Sequence, residues 1–318
     1  MPPGLKRRGR RLVHAAVRAE HSGHMHDLGE LSRQLCELLQ SHDGAAAGSG
    51  QRCELDGGRW IGWHFQTWQQ RWLLGVGCAT DLLEPRRRER LEEALLRVGH
   101  ASRWGRQQAG MGADHEIELV NCDSPRWSMQ LTPAAVQAQC QRLLDQLDAL
   151  AAGRAEVVAS GSGDEGPLHA PACGCARAFS ARMRALDASR PPGSIAAQEL
   201  LFDDHLPLRI SLHPRNHHWV LEAFVWDAAP LDAALRRALV AALLYINAAV
   251  RDGRALVCSL DGADRVVVIS RWHEDGAAQA PQLDWLDYSL RQARRIGGVC
   301  AAIALQEAPP YGAPGSWA

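Results

Sequence analysis

The chain has 318 residues, 46% of them hydrophobic and 22% charged, enough for two globular domains of ordinary size. A formal net charge of -1 gives the whole molecule no electrostatic pull toward nucleic acid or a membrane surface. No run approaches the roughly 20 apolar residues of a membrane span; the best, 238–246, is too short.

The near-neutral total conceals an asymmetry. Residues 1–24 carry Lys6, Arg7, Arg8, Arg10, Arg11 and Arg18 against Glu20 alone, which leaves a mildly acidic remainder. This first stretch reads as a disordered basic segment, either a basic arm or leader sequence from an over-extended start. It lacks the apolar centre of a signal peptide. Nine Cys at irregular spacings do not form a disulfide framework, so a reducing cytoplasm is the expected setting.

From Met25, Leu28, Leu31, Leu35, Leu38 and Leu39 recur at helical spacing, predicting a helix over about 27–41. SHDGAAAGSG ends it. RWIGWHFQTW and RWLLGVGCAT then alternate around Gln69-Gln70 as a hairpin. Ile61, Trp63 and Phe65 are expected on one face, matched by Trp72, Leu74, Val76 and Cys78 on the return strand. A helix follows at 84–98 with Pro85 in its first turn. HEIELVN and RWSMQL read as a second hairpin joined through CDSP, and Pro133 opens a helix to about 150.

Beyond a Gly/Ser/Pro-rich linker over 151–177, a short helical piece, ARAFSARMRALD, starts a second unit. LPLRISLH and WVLEAFVW form its hairpin, LDAALRRALVAALLYINAAV its long helix at 231–250, and ALVCSLDGADRVVVISRW its second hairpin about a DG turn. QLDWLDYSLRQARRI closes the unit at 296, leaving a Pro/Gly-rich tail, 297–318, expected to be flexible. Trp72 and Trp219 each begin a second strand. The same order of elements thus occurs twice, a repeat of pattern with little residue identity.

That order, with the opening helix MHDLGELSRQLCELL and the passage LLYINAAVRDGRALVCSLDGADRVVVISRW, resembles the small type III secretion chaperones, the Tir-chaperone-like group. There an Asn near the helix end precedes a strand, an LD turn and a second apolar strand. The resemblance covers about 25–150 and 178–296. Family members are usually single acidic units that pair as dimers, whereas this chain is a nearly neutral tandem. The resemblance implies an α+β fold whose two units pack as an intramolecular pseudo-dimer, a monomer with an internal pseudo-twofold. It implies non-catalytic binding of a segment of a secreted effector or export partner, kept secretion-competent in the cytoplasm, with no cofactor and no metal. An adaptor that sequesters a regulator or export component is the alternative.

The six expected partner-binding residues are Trp60, Trp63, Trp68, Trp72, Trp219 and Trp226, with Trp60, Trp68, Trp219 and Trp226 foremost. The competing readings of the Trp cluster are core alone, core plus a groove, and base stacking. Stacking usually comes with a basic groove, and only Arg59 and Arg71 flank these rings. Leu235, Leu239, Leu243 and Ile246, at helical spacing, are the expected inter-unit interface.

His213, His217 and His218 share one polar turn without a carboxylate or thiolate at ligand spacing, and His169, Cys173 and Cys175 lack a second thiolate pair. His21, His24 and His26 are treated alike. A metal enzyme built on these clusters is the less favoured alternative. Residues 203–205, DDH, read as a polar strand opening, and Arg86, Arg87 and Arg88 as a solvated helix face. No phosphate loop and no G-x-S-x-G elbow occurs.

Overall fold

The structure is a computed structural model. It describes residues 51–66, 71–102, 107–112, 114–121, 132–154, 172–173, 196–202, 206–213, 218–250, 256–273 and 280–306, together with the helical positions 181, 183, 185 and 188. The basic segment, the opening helix at 27–41, Trp68, His169, Cys175 and 203–205 lie outside the described residues, as do the side chains of Phe65, Trp72, His213 and His218. The four helical positions fall where the second unit's opening helix was expected, and Met183 among them is buried.

The architecture is mixed α+β. In the first half, β1 (Gln51–Glu54), β2 (Arg59–Gln66) and β3 (Arg71–Ala79) precede helix α1 (Pro85–Ala101). β4 (Gln107–Met111), β5 (Glu116–Asn121) and α2 (Pro133–Ala151) follow. The second half runs β6 (Ala172–Cys173), β7 (Ala196–Phe202), β8 (Leu206–His213), β9 (His218–Asp227), α3 (Ala233–Val250), β10 (Leu256–Leu260), β11 (Arg265–His273) and α4 (Ala280–Ala304). The first sheet has the order β1-β2-β3-β5-β4; the second has β10-β11-β9-β8-β7-β6. Apart from β6, a two-residue parallel addition beside β7, both sheets are antiparallel and follow one strand order.

The first hairpin forms as its alternation requires. Trp63 stands opposite Leu74 and Ile61 opposite Val76. All four, with Cys78, enter one buried cluster that continues into the second half through Ile210, Leu221 and Leu260. Burying each such aliphatic side chain contributes roughly 1.5–3 kcal/mol. α1 places Leu91, Leu95, Leu96 and Val98 in the interior and begins with Pro85, whose missing N–H costs nothing in a first turn. In α2, Thr132 caps the start by accepting from Ala135 N at 3.2 Å, and Gly153 at φ 66 ends it. Arg87 adds a hydrogen bond to the terminal carbonyl of Ala151, where a cation meets the negative end of the helix dipole.

Four expectations need correction. Each sheet has a strand the sequence reading omitted. β1 turns Cys53 toward the core, followed by Leu55 just past its end, and β7 buries Leu200 and Phe202, although AAQELLF has helix-like composition. The partner of β5 is β4, upstream across residues 112–115, rather than RWSMQL across CDSP. The first half's second hairpin was thus placed one strand too late. The fourth correction concerns α4, which passes 296 and ends at Ala304. Val299, Cys300 and Ala302 continue its buried stripe, and Gly297 lies close against Val225 rather than breaking the helix.

Burial also fixes the thiols. It pushes Cys78 up to about 11 and Cys140 and Cys300 up to about 12, and raises Cys258 as well. The thiolate is the reactive form, so these four should resist alkylation at pH 8 in the folded protein and react on unfolding. Peptide mapping after iodoacetamide pulses, with and without urea, reads this directly; fast native labelling of Cys258 would refute the placement of β10.

Candidate functional site

The two sheets meet through the helices that precede their edge strands. α1 packs on β4 of its own sheet and on β10 of the other; α3 packs on β10 and on β4; and the two helices touch. Close approach is built in by small residues. Gly110 of β4 lies so near Ala248 of α3 that an added Cβ would stand 3.0 to 3.1 Å from its atoms. Gly99 of α1 sits correspondingly against Val257 and Ser259 of β10. Gln108 donates to Asn247 O at 3.3 Å across the same boundary.

The turns that follow β4 and β10 have one conformation. His115 and Asp264 both take positive φ, 57 and 62. The bonds Gly112 N to Glu116 O and His115 N to Gly112 O have counterparts in Asp261 N to Arg265 O and Asp264 N to Asp261 O. Each turn is met by the opposite helix. Tyr245 Oη lies 2.7 Å from His115 Nδ1, and Arg97 binds the Asp264 carboxylate and donates to Asp261 O at 2.8 Å.

Charged residues close the outer side of this seam. Arg236 Nη2 lies 2.8 Å from Glu93 Oε1 and 2.9 Å from Asp264 Oδ1, while Arg97 holds the same two carboxylates. Arg237 and Glu89 pair at 2.6 Å. Glu89, Glu93, Arg97, Arg236 and Arg237, with Val240 and Ala94, line an open cleft of about 440 Å³. Hydrogen bonds from Arg236 first, then Arg97, hold Asp264 below its usual range despite partial burial. For Glu93 burial is the largest influence and acts upward, but the two guanidinium groups outweigh it and its pKa is lowered.

A depressed carboxyl stabilises the fold above its unfolded pKa and loses that contribution as pH falls through the folded value. The melting temperature should therefore hold steady from pH 7 to 5 and fall below the ordinary values of 4.5 and 3.8. Arg236→Ala should flatten part of that acid limb. With all four side chains partly solvated, the loss at pH 7 should be only about 1 kcal/mol. Calorimetry across pH on both proteins checks it, and an unaltered acid limb in the variant would remove the network from the account.

Deeper in the seam sits a buried polar contact. His100, in the last turn of α1, places Nε2 3.3 Å from Glu222 Oε1 on β9, with side-chain exposures of 5% and 2%. Arg209 Nε on β8 stands 4.0 Å from the other carboxylate oxygen. Arg271 on β11 donates to Ser102 O just past the helix at 3.3 Å.

The Trp residues fall mainly inside. Trp60 is 6% exposed, Trp63 8% and Trp219 3%. Trp60 does point to the face opposite Trp63, but it lies over Gly77, and the Arg52 guanidinium covers its ring at 4.6 Å. Arg52 is itself bound to Glu116. Trp219 belongs to the main core, and half-buried Trp226 packs against it. Leu239, Leu243 and Ile246 likewise join the main cluster, with Leu235 half-buried. The side of α3 facing α1 bears Ala233, Arg236, Arg237 and Val240, about a third of a turn from the expected Leu stripe.

Among the described residues, two outer strands remain as edges. Among the described residues β1 pairs only with β2, and β7 is joined on its outer side only at Leu201 and Phe202, by Ala172–Cys173. Unpaired edge N–H and C=O groups can accept a further strand. No three His, Cys, Asp or Glu among the described residues are grouped to hold a metal, and no described helix is long and apolar enough to cross a membrane. The sequence reading missed His100, Glu222, Glu93 and Arg236. Glu222 had one signal, a lone charge inside the apolar run WVLEAFVW.

No family model, no curated protein and no solved structure matches the chain.

Proposed function

We propose that the chain is a non-catalytic binding protein that holds an extended segment of a secreted effector or export partner in the cytoplasm, as the type III secretion chaperones it resembles in sequence pattern do. The reading also takes the two halves as an intramolecular counterpart of a chaperone dimer. The observation that carries it is the shared strand order of the two sheets, joined through α1 and α3 with each helix on the other half's edge strand. Isologous dimers have this reciprocity, in which residue i meets j and j meets i.

The buried Trp rings shift the expected contact from those side chains to the strand edges. An extended segment added beside β1 or β7 gains main-chain hydrogen bonds, and pockets along the sheet choose its side chains.

The test is affinity capture of the tagged chain from its own host, followed by hydrogen exchange on the purified complex. Near-stoichiometric recovery of a secreted protein that slows exchange in β1 or β7 supports the reading. Recovery of a regulator or export component alone moves the assignment to an adaptor. Recovery of no partner, with a full equivalent of bound zinc, would end both.

A further inference from the structure

The seam holds polar groups that its repeated geometry does not repeat, and this asymmetry carries information about what it can bind. Strand register gives the equivalences. Ile269 faces Glu222 across β11 and β9, and Glu222 faces Arg209 on β8. In the first sheet Val120 holds the place of Ile269; it faces Gly75, and Gly75 faces Gly62. The Glu222–Arg209 pair of the second sheet thus corresponds to a pair of glycines in the first. The helices differ in the same sense. Gly99 and Ala248 make corresponding approaches to β10 and β4, so His100 corresponds to Ala249. The turns differ as well, since Asp264, which receives Arg97 and Arg236, corresponds to His115.

We infer that the seam is an interaction surface encoded for unlike halves: the first half's surface fits the second half of this chain and rejects another copy of itself. Pairing of two first halves would set His100 over Gly62 and Gly75, where half-buried Glu118 reaches across Gly75 and no strand carboxylate stands at the place of Glu222, and would set Arg97 against His115. Pairing of two second halves would leave Glu222 with Arg209 but without the imidazole, and Asp264 with Arg236 but without Arg97. A buried ionisable group that loses one of its partners is penalised, whereas the apolar contacts of the seam would tolerate either arrangement. The polar groups therefore supply selectivity rather than the bulk of the attraction.

This rests on the tandem reading, and the test separates the two. A protease site is placed in the SGSGDEG stretch, 160–166, of the full chain, which is folded and then cut. Unlabelled and 15N-labelled batches are mixed and followed by native mass spectrometry. The expected result is one-to-one pairs of unlike halves only, with label scrambled between them. Pairs of like halves in comparable amounts would overturn the inference while leaving the tandem reading intact. Halves that separate and never re-pair would overturn both.

Two variants probe the cause. His100→Ala and Glu222→Gln should each weaken re-pairing, on the order of 100-fold for loss of one partner of a buried pair. Combined, they should cost less than the product of the two. His100 sits at a helix end, so its variant keeps the test valid even where a strand change harms folding. Full additivity, with selectivity for unlike halves unchanged, would remove His100 and Glu222 as its source. No cargo enters either readout, so this result is independent of the capture experiment.

Discussion

Asn247→Ala should be among the most destabilising single changes in the chain, at about 2–4 kcal/mol. Asn247 is buried near the end of α3; its Oδ1 accepts from Cys258 N at 2.6 Å and its Nδ2 donates to Cys258 O at 2.9 Å. Among the described residues β10 is a sheet edge and no strand adjoins Cys258 on that side, and the amide supplies the donor and acceptor that such a strand would have given. Alanine leaves both backbone groups buried and unpaired. Urea titration should show a lower midpoint with unchanged slope. Asn247→Asp should recover little, because a carboxylate accepts from Cys258 N but cannot donate to Cys258 O. An alanine variant within about 0.5 kcal/mol of the parent would mean that water or local shifts satisfy both groups.

Gly77→Ala should destabilise by at least the upper end of the roughly 1–3 kcal/mol found for overpacked sites. A Cβ there would collide with the Ile117 carbonyl and the Trp60 ring at once. The ring is a side chain with a possible escape, but the carbonyl belongs to the neighbouring ladder of β5. Trp60→Ala should therefore fail to rescue Gly77→Ala, and urea midpoints of the single and double variants decide the point. A full rescue would place the whole strain in the indole. By contrast Gly57, with positive φ and no atom within 4 Å of an added Cβ, should be limited by backbone conformation alone.

These two sites show where reading the chain without its fold succeeds and where it stops. The first hairpin was legible because Ile61, Trp63, Leu74 and Val76 alternate with period two, and a sheet with one face on a core admits few other registers. The long helices were legible from their 3.6-residue stripes and from Pro85 and Pro133 at their starts. The short strands β1 and β4 were not, since four or five residues, one segment rich in Gly and Gln, give too little periodicity to outweigh their composition. A placement error followed at once: with QQAGM unrecognised, the next apolar stretch was assigned as the partner of β5.

The seam was the least legible part. Arg236, Glu93 and Asp264 are ordinary surface residues by local pattern, and only the crossing of α1 and α3 makes them one network. Trp60 reads as an outward ring from alternation, correctly as to direction. Its burial depends on Arg52, from a strand that the local pattern did not announce.

The sequence by itself determined the α+β class, the repeated order of elements, the core face of the first hairpin and the main helices, because each follows from periodicity within a few turns of chain. The tertiary structure alone decided that each sheet has a further outer strand and that α1 and α3 exchange places on each other's edge strands. It alone placed His100 against Glu222. The helix crossings and the His100 contact join residues more than a hundred positions apart, and no local period records which of two similar surfaces a helix end will meet.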